Sequence, residues 1–357
     1  MIRNLTLTIL FFAFASVISA QSGRMKPSET PTPKKDAPRP SVVYMPTQTA
    51  APKSSPTPNN SVKKTEVDDD IINVESNLVP IPVSVLGADG QAVANLRRED
   101  FTLQIDGQAA EIGDLARSET PVRLALLFDN SSSVTIAREF EKKAAIRFFR
   151  KVLRPSKDLA ALFSVSTAAR LEQPLTKDVS QLTDAIDLFA EPQGATALLD
   201  GIIKAAEYLR DASGRRVIVI VSDGEDTISD STFEETLKAI QANNVQVYVV
   251  KTKEFENFKQ TGQRGGNANI RALAAERRMQ EITQQTGGAV YSPIDERELD
   301  QAFNQISAEL AQQYILSYYP ENDADKRGEF RTISLAVKTG KNLSVRTRKG
   351  YYVPKRN

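Results

Sequence analysis

LALLFDNSSSV, residues 124–134, is the stretch from which the fold is read. Leu124 to Phe128 run apolar without alternation, the habit of a strand covered on both faces, as in a parallel sheet. The run ends on Asp129, followed by Asn130 and three serines. A buried strand therefore delivers a carboxylate and several hydroxyls to one end of a sheet.

The same pattern recurs outward from this point. With its start at Val122 the first strand candidate is VRLALLF (122–128), and LAALFSV (159–165), RVIVIVS (216–222), VQVYVV (245–250) and GAVYSP (288–293) are further ones. Between them lie helical periodicities. Ile136, Phe140, Ala144, Phe148 and Val152 recur every four residues and stop at Pro155. Leu198, Leu199, Ile202, Ile203, Ala206 and Leu209 form a second face, and Leu299, Phe303, Ile306 and Leu310 a third. Strand and helix in alternation predict an α/β domain over about 119–315, doubly wound around a mostly parallel sheet in a Rossmann-like arrangement.

The flanks read differently. LVPIPVSVLGADGQAVANL and DFTLQIDGQAAEI look like short strands turned at Ala88-Asp89-Gly90 and Asp106-Gly107, giving a small β segment over 71–118. YILSYY, EFRTISLAV and LSVRTRKGYYV, with a turn at Lys341-Asn342, give another over 316–357. Since both flank the α/β unit, they are expected to meet as one sandwich-like module. Residues 1–20 have the order of a secretory signal: Arg3, an apolar run from Leu5 to Ile18, then Ser19 and Ala20. That run is shorter than the roughly 20 residues of a spanning helix, so cleavage with no stable membrane anchor is expected. Residues 21–70 hold half of the chain's 18 prolines and few large apolar side chains, the composition of an extended spacer.

Composition narrows the chemistry. With no histidine and no cysteine, Ser-His-Asp and Cys-His machinery, thiolate chemistry, His/Cys zinc sites and a lipoprotein anchor are all excluded. A net charge of +1 gives no basic patch for nucleic acid. Export is therefore read as secreted or periplasmic. Ligands of open α/β sheets lie beyond the carboxyl ends of the strands, and three loops put oxygens there. Asp129, Ser131 and Ser133 follow the first strand, Thr196 stands in PQGATALLDG, and Asp223 ends VIVIVSDGED. Together these offer only oxygen donors, the choice of a hard cation: Mg²⁺ first, with Mn²⁺ or Ca²⁺ as alternatives.

The arrangement resembles a von Willebrand factor type A domain with a metal-ion-dependent adhesion site. The D-x-S-x-S pattern is met by Asp129, Ser131 and Ser133, the family's threonine by Thr196, and its later aspartate by Asp223. With the signal-like segment, EDFTLQIDG and the C-terminal strands, the chain is also similar to bacterial secreted von Willebrand-related proteins of the Acidobacteria type. The resemblance implies that Ser131, Ser133 and often Thr196 touch the cation while Asp129 and Asp223 act mostly through waters. So few negative ligands leave the ion electrophilic, and the expected occupant of its open position is an Asp or Glu carboxylate of a partner protein. Metal-bridged recognition or adhesion, not catalysis, is the function expected.

Three alternatives stand beside it. Ser133 and Asp223 could serve only as helix or turn caps. A Mg²⁺-dependent hydrolase would need no histidine, but Ser131 stands where a paired carboxylate would be useful and no Lys or Arg is obviously placed for phosphoryl transfer. A structural or assembly module would carry the metal incidentally. Asp223 to Asp230 does not follow EF-hand spacing, and QRGGNANIR (263–271) lacks the phosphate-loop order.

Overall fold

The computed structural model describes residues 78–117, 119–135, 137–263, 270–320, 326–338 and 342–353. The signal-like and proline-rich segments, Ile136, Lys341 and most of QRGGNANIR lie outside these residues. Strands β1 (Val79–Leu86), β2 (Phe101–Ile105), β3 (Gln108–Ala110) and β4 (Asp114–Arg117) come first. The α/β layer follows with β5 (Val122–Asp129), α1 (Arg138–Val152), β6 (Leu159–Val165), β7 (Ala169–Thr176), α2 (Val179–Asp187) and α3 (Leu198–Tyr208). It continues through β8 (Arg215–Ser222), α4 (Phe233–Ala242), β9 (Val245–Lys251), α5 (Lys253–Thr261), α6 (Ile270–Thr286), β10 (Val290–Tyr291) and α7 (Glu296–Gln312). Strands β11 (Tyr314–Tyr318), β12 (Phe330–Val337), β13 (Ser344–Thr347) and β14 (Gly350–Tyr352) complete the order.

The central sheet runs β10-β9-β8-β5-β6-β7, parallel throughout except for β7, which is antiparallel to β6. Alternate residues of β5 explain why its sequence has no polar face. Leu124, Leu126 and Phe128 enter one core with α1, α2 and α7, while Ala125 and Leu127 enter another with α3, α4 and α6. In the first core Phe148 of α1 stacks on Phe303 of α7 with ring centroids 4.7 Å apart. GAVYSP yields only the two-residue strand β10, because it lies at the sheet's edge and pairs with β9 alone. At the opposite edge, β7 was not evident in the sequence. Pro174 lies within it, and an edge strand has one side on which a missing amide is tolerated.

The strands outside this layer form two antiparallel sheets, β13-β1-β11-β4 and β14-β12-β2-β3. Each draws strands from both sides of the α/β segment: Ile81 opposes Leu316, and Leu103 opposes Leu335. Ile81, Val83, Phe101, Leu103, Tyr314, Leu316 and Tyr351 are buried together as one core between them. The α/β layer is joined to this sandwich through β4 and β11, which pair Arg117 with Tyr314. A close backbone approach locks the joint further. Gly287, with φ +80°, meets the Thr347–Arg348 backbone so tightly that a Cβ there would clash.

Candidate metal centre

Asp129 is the last residue of β5 and only 1% exposed. Its Oδ1 accepts the Ser131 amide at 2.9 Å and its Oδ2 the Ser222 hydroxyl at 2.6 Å. Ser222 ends β8, the strand hydrogen-bonded beside β5, so parallel neighbours bring both groups to the same sheet edge. The Ser131 and Ser133 hydroxyls lie 3.0 Å apart. Ser131 precedes a short 3₁₀ turn, Ser132–Val134, that contains Ser133, and makes no side-chain cap for it. Hydroxyl meets hydroxyl there, whereas α1 begins later, at Arg138.

The three loops are stapled to one another by backbone bonds. Ser132 N donates to Gly194 O and Gln193 N to Asn130 O, tying the first loop to the second. Thr227 N donates to Thr196 O at 2.9 Å, and Thr196 N to the Thr227 hydroxyl at 2.9 Å, tying the second to the third. Asp226 completes the tie: its Oδ1 accepts the Leu198 and Leu199 amides and so caps α3 from across the site. Arg138 reaches from α1 to Asn130 Oδ1 and to the Phe189 and Ala190 carbonyls. Thr196 is thereby fixed between the other two loops, with 3% of its surface exposed.

Asp223 uses Oδ1 for the Glu225 amide at 2.9 Å, a local turn bond. Its Oδ2 is buried and has no hydrogen-bond partner. Four further buried oxygens make no hydrogen bond of good geometry: both carboxyl oxygens of Glu141, the Thr252 hydroxyl and Glu256 Oε1, although the Thr252 hydroxyl lies near enough to Glu141 to oppose the rise of its carboxyl. Glu141 comes from α1 and is 1% exposed; Glu256 comes from α5 and is 4% exposed. Burial together with the nearby Asp223 pushes the Asp129 carboxyl up to about 6. Burial raises Glu141 well above the ordinary range, with Asp129 the next cause, and raises Glu256 to about 7 although Lys253 opposes it. The strongest charge acting on Asp129, and on Glu141, is thus another carboxylate. Unpaired buried oxygens and repelling carboxylates are what a doubly charged cation relieves. Among the described residues no three acidic side chains are gathered closely enough to hold an ion by themselves, so hydroxyls would have to share the coordination.

The residue types present are chemically compatible with a divalent cation: Ser131, Ser133 and Thr196 would supply hydroxyls, Asp129 and Asp223 the charge. Ser222, Thr227 and Glu141 were not picked out from sequence, and Asp226 only within the rejected EF-hand reading. Glu141 had a signal, since it lies four residues before Ala145 and eight before Phe149 on the buried side of α1.

The family model described as von Willebrand factor type A domain matches residues 124–305. The chain belongs to the von Willebrand factor type A domain family. Domains of this family often mediate protein–protein interaction and metal-dependent adhesion, and commonly bind a divalent cation. Solved structures similar to this von Willebrand factor type A protein include one from Catenulispora acidiphila, itself described as von Willebrand factor type A. Its TM-score is 0.43 at 11% identity, over 79% of this chain and 75% of that one. The PilB minor pilin from Streptococcus sanguinis gives 0.42 at 12% identity over 56% and 63%, and BatB from Bacteroides thetaiotaomicron 0.40 at 16% over 52% and 97%. The chain spans about three fifths of the pilin's length. No curated protein matches the sequence. Among the described residues no helix is long and apolar enough to cross a membrane.

Proposed function

We propose that this protein is an exported, metal-dependent protein-binding module. Residues 1–20 act as a signal peptide and 21–70 as a spacer. The domain at 119–315 holds a divalent cation, Mg²⁺ foremost, through Asp129, Ser131, Ser133, Thr196 and Asp223. A carboxylate presented by a partner protein completes the ion's coordination, and the flanking β segments carry the domain. No reaction is catalysed.

The observation that carries this reading is the buried, unpartnered Asp223 Oδ2 beside the raised Asp129 carboxyl. An uncompensated buried carboxylate is costly, and a cation supplied from solution offsets that cost. The hydroxyl-rich, acid-poor donor set leaves the ion most of its charge, which favours an anionic ligand over a neutral one. Calorimetric titration with Mg²⁺ and Mn²⁺ tests the site. Asp129→Ala and Ser131→Ala are expected to abolish binding while circular dichroism and melting show a folded chain. Unchanged affinity in either variant refutes the assignment. The partner is sought by metal-dependent pull-down from the native envelope, comparing the intact chain with Asp129→Ala.

A further inference from the structure

A cavity of about 300 Å³ lies at the opposite end of the central sheet, where β8 and β9 begin. Its walls come from α4, α6, β1, β11 and the Arg348 segment, so it sits at the joint between the α/β layer and the sandwich. Three arginines line it, Arg215, Arg216 and Arg348, and among its lining residues there is no Asp or Glu. Pro82, Ile240 and Ile315 supply apolar wall.

The two remaining buried side-chain atoms without a hydrogen-bond partner, among the described residues, are Arg215 Nε and Arg348 Nε. Both guanidinium groups are held in place by neutral acceptors. Arg215 donates Nη1 to Gln313 Oε1 at 2.9 Å and Nη2 to Leu310 O at 2.8 Å. Arg348 donates Nη2 to Pro80 O at 2.7 Å and Nη1 to Asn244 Oδ1. Pro80 O is available because β13 pairs with β1 only from Val83 onward, leaving the proline end of β1 open on that side. Asp158, the carboxylate near Arg215, is already engaged by the Arg154 side chain and the Val122 amide. Burial lowers Arg215 and Arg348 to about 10 and lowers Arg216 too.

Orientation is thus fixed by acceptors that carry no formal charge, with the Arg348 guanidinium 5.8 Å from the Tyr351 ring centroid and no carboxylate in the cavity wall. An anion from outside would supply the missing charge, since guanidinium is the side chain best suited to a planar carboxylate. The apolar walls argue against a free phosphate, whose double charge is costlier to strip of water. They suit a hydrocarbon body. We infer that this cavity binds a small organic monocarboxylate, its acid group at Arg215 and Arg348 and its apolar body against Pro82, Ile240 and Ile315. A ligand of about ten non-hydrogen atoms matches a cavity near the lower end of the size range for small-molecule sites. The inference does not rest on the cation site.

Isothermal titration of the purified chain with benzoate and with hexanoate tests it, inorganic phosphate serving as control. Saturable binding of at least one carboxylate is expected, with affinity reduced about tenfold or more in Arg348→Gln, the loss of one charge-assisted bond. Ile315→Phe, which fills the cavity without touching a charge, is expected to weaken binding as well and stands in should Arg348→Gln fail to fold. Asp129→Ala is expected to bind the carboxylate as the parent does, which separates this site from the metal centre. The inference is overturned if neither carboxylate saturates below about 10 mM, the weak end of specific affinity. It is equally overturned if the arginine variant folds and binds unchanged, or if phosphate binds as tightly as the carboxylates.

Discussion

Asp129 gives the candidate metal centre a measurable dependence on pH. Its carboxyl is raised from 3.8 to about 6 in the folded protein by burial and by Asp223. Because the folded value lies above the unfolded one, the folded state binds this proton more tightly. The group's contribution is fully present below about pH 4 and is lost as pH rises through about 6. Between pH 7 and pH 5 the folded form takes up most of a proton here and the unfolded form almost none, which amounts to about 1 kcal/mol. Urea denaturation in EDTA, at pH 5 and pH 7, measures this by comparing the parent with Asp129→Asn, so that carboxylates not coupled to Asp129 cancel, while Glu141 and Glu256, which feel its charge, add to the difference. The parent should gain about 1 kcal/mol more than the variant on going to pH 5. The same proton competes with the cation, so Mg²⁺ affinity of the parent should fall about tenfold over that interval. Equal pH responses of parent and variant in EDTA would refute the reasoning, since Asp129 would then not be held in a raised state.

Further outcomes are expected elsewhere. Asp223→Asn should remove repulsion felt by Asp129 and leave the metal-free fold as stable or more so, while Mg²⁺ heats vanish in titration. Phe148→Ala should cost about 3 to 5 kcal/mol in urea denaturation, because its ring, 1% exposed, is stacked on Phe303 in the core. Gly288→Ala should fail to give folded protein by circular dichroism, since its Cβ would be driven into the Val247 carbonyl oxygen. Asp226→Ala should destabilise by about 1 to 2 kcal/mol and weaken Mg²⁺ binding, because it caps α3 and staples the loop of Thr196 to that of Asp223.

The fold class was legible because a doubly covered strand writes itself as an unbroken apolar run. Val217 to Val221 is buried at every position, and β5, β6, β8 and β9 match their apolar segments to within a residue. Strand order was not legible. That β8 lies beside β5, across 86 residues of sequence from Asp129 to Arg215, depends on helix packing that no local pattern records. Helices α2 and α4 were not assigned. Each buries only two side chains, Leu182 and Ile186 in one, Thr236 and Ile240 in the other, too few for a visible stripe. At the site, residue types were readable at the strand ends, but partners were not. Ser222 bonds Asp129 across 93 positions, and Asp226 caps a helix that begins 28 residues before it.

The joint between β4 and β11 has a mechanical consequence. The α/β segment leaves the sandwich after Arg117 and returns at Tyr314, and those two residues face each other in one antiparallel ladder. Tension applied between Leu78 and Val353 would enter through β1 and leave through β14, both stitched into the sandwich. The α/β layer hangs outside that line of force, shielded until the ladder itself unzips.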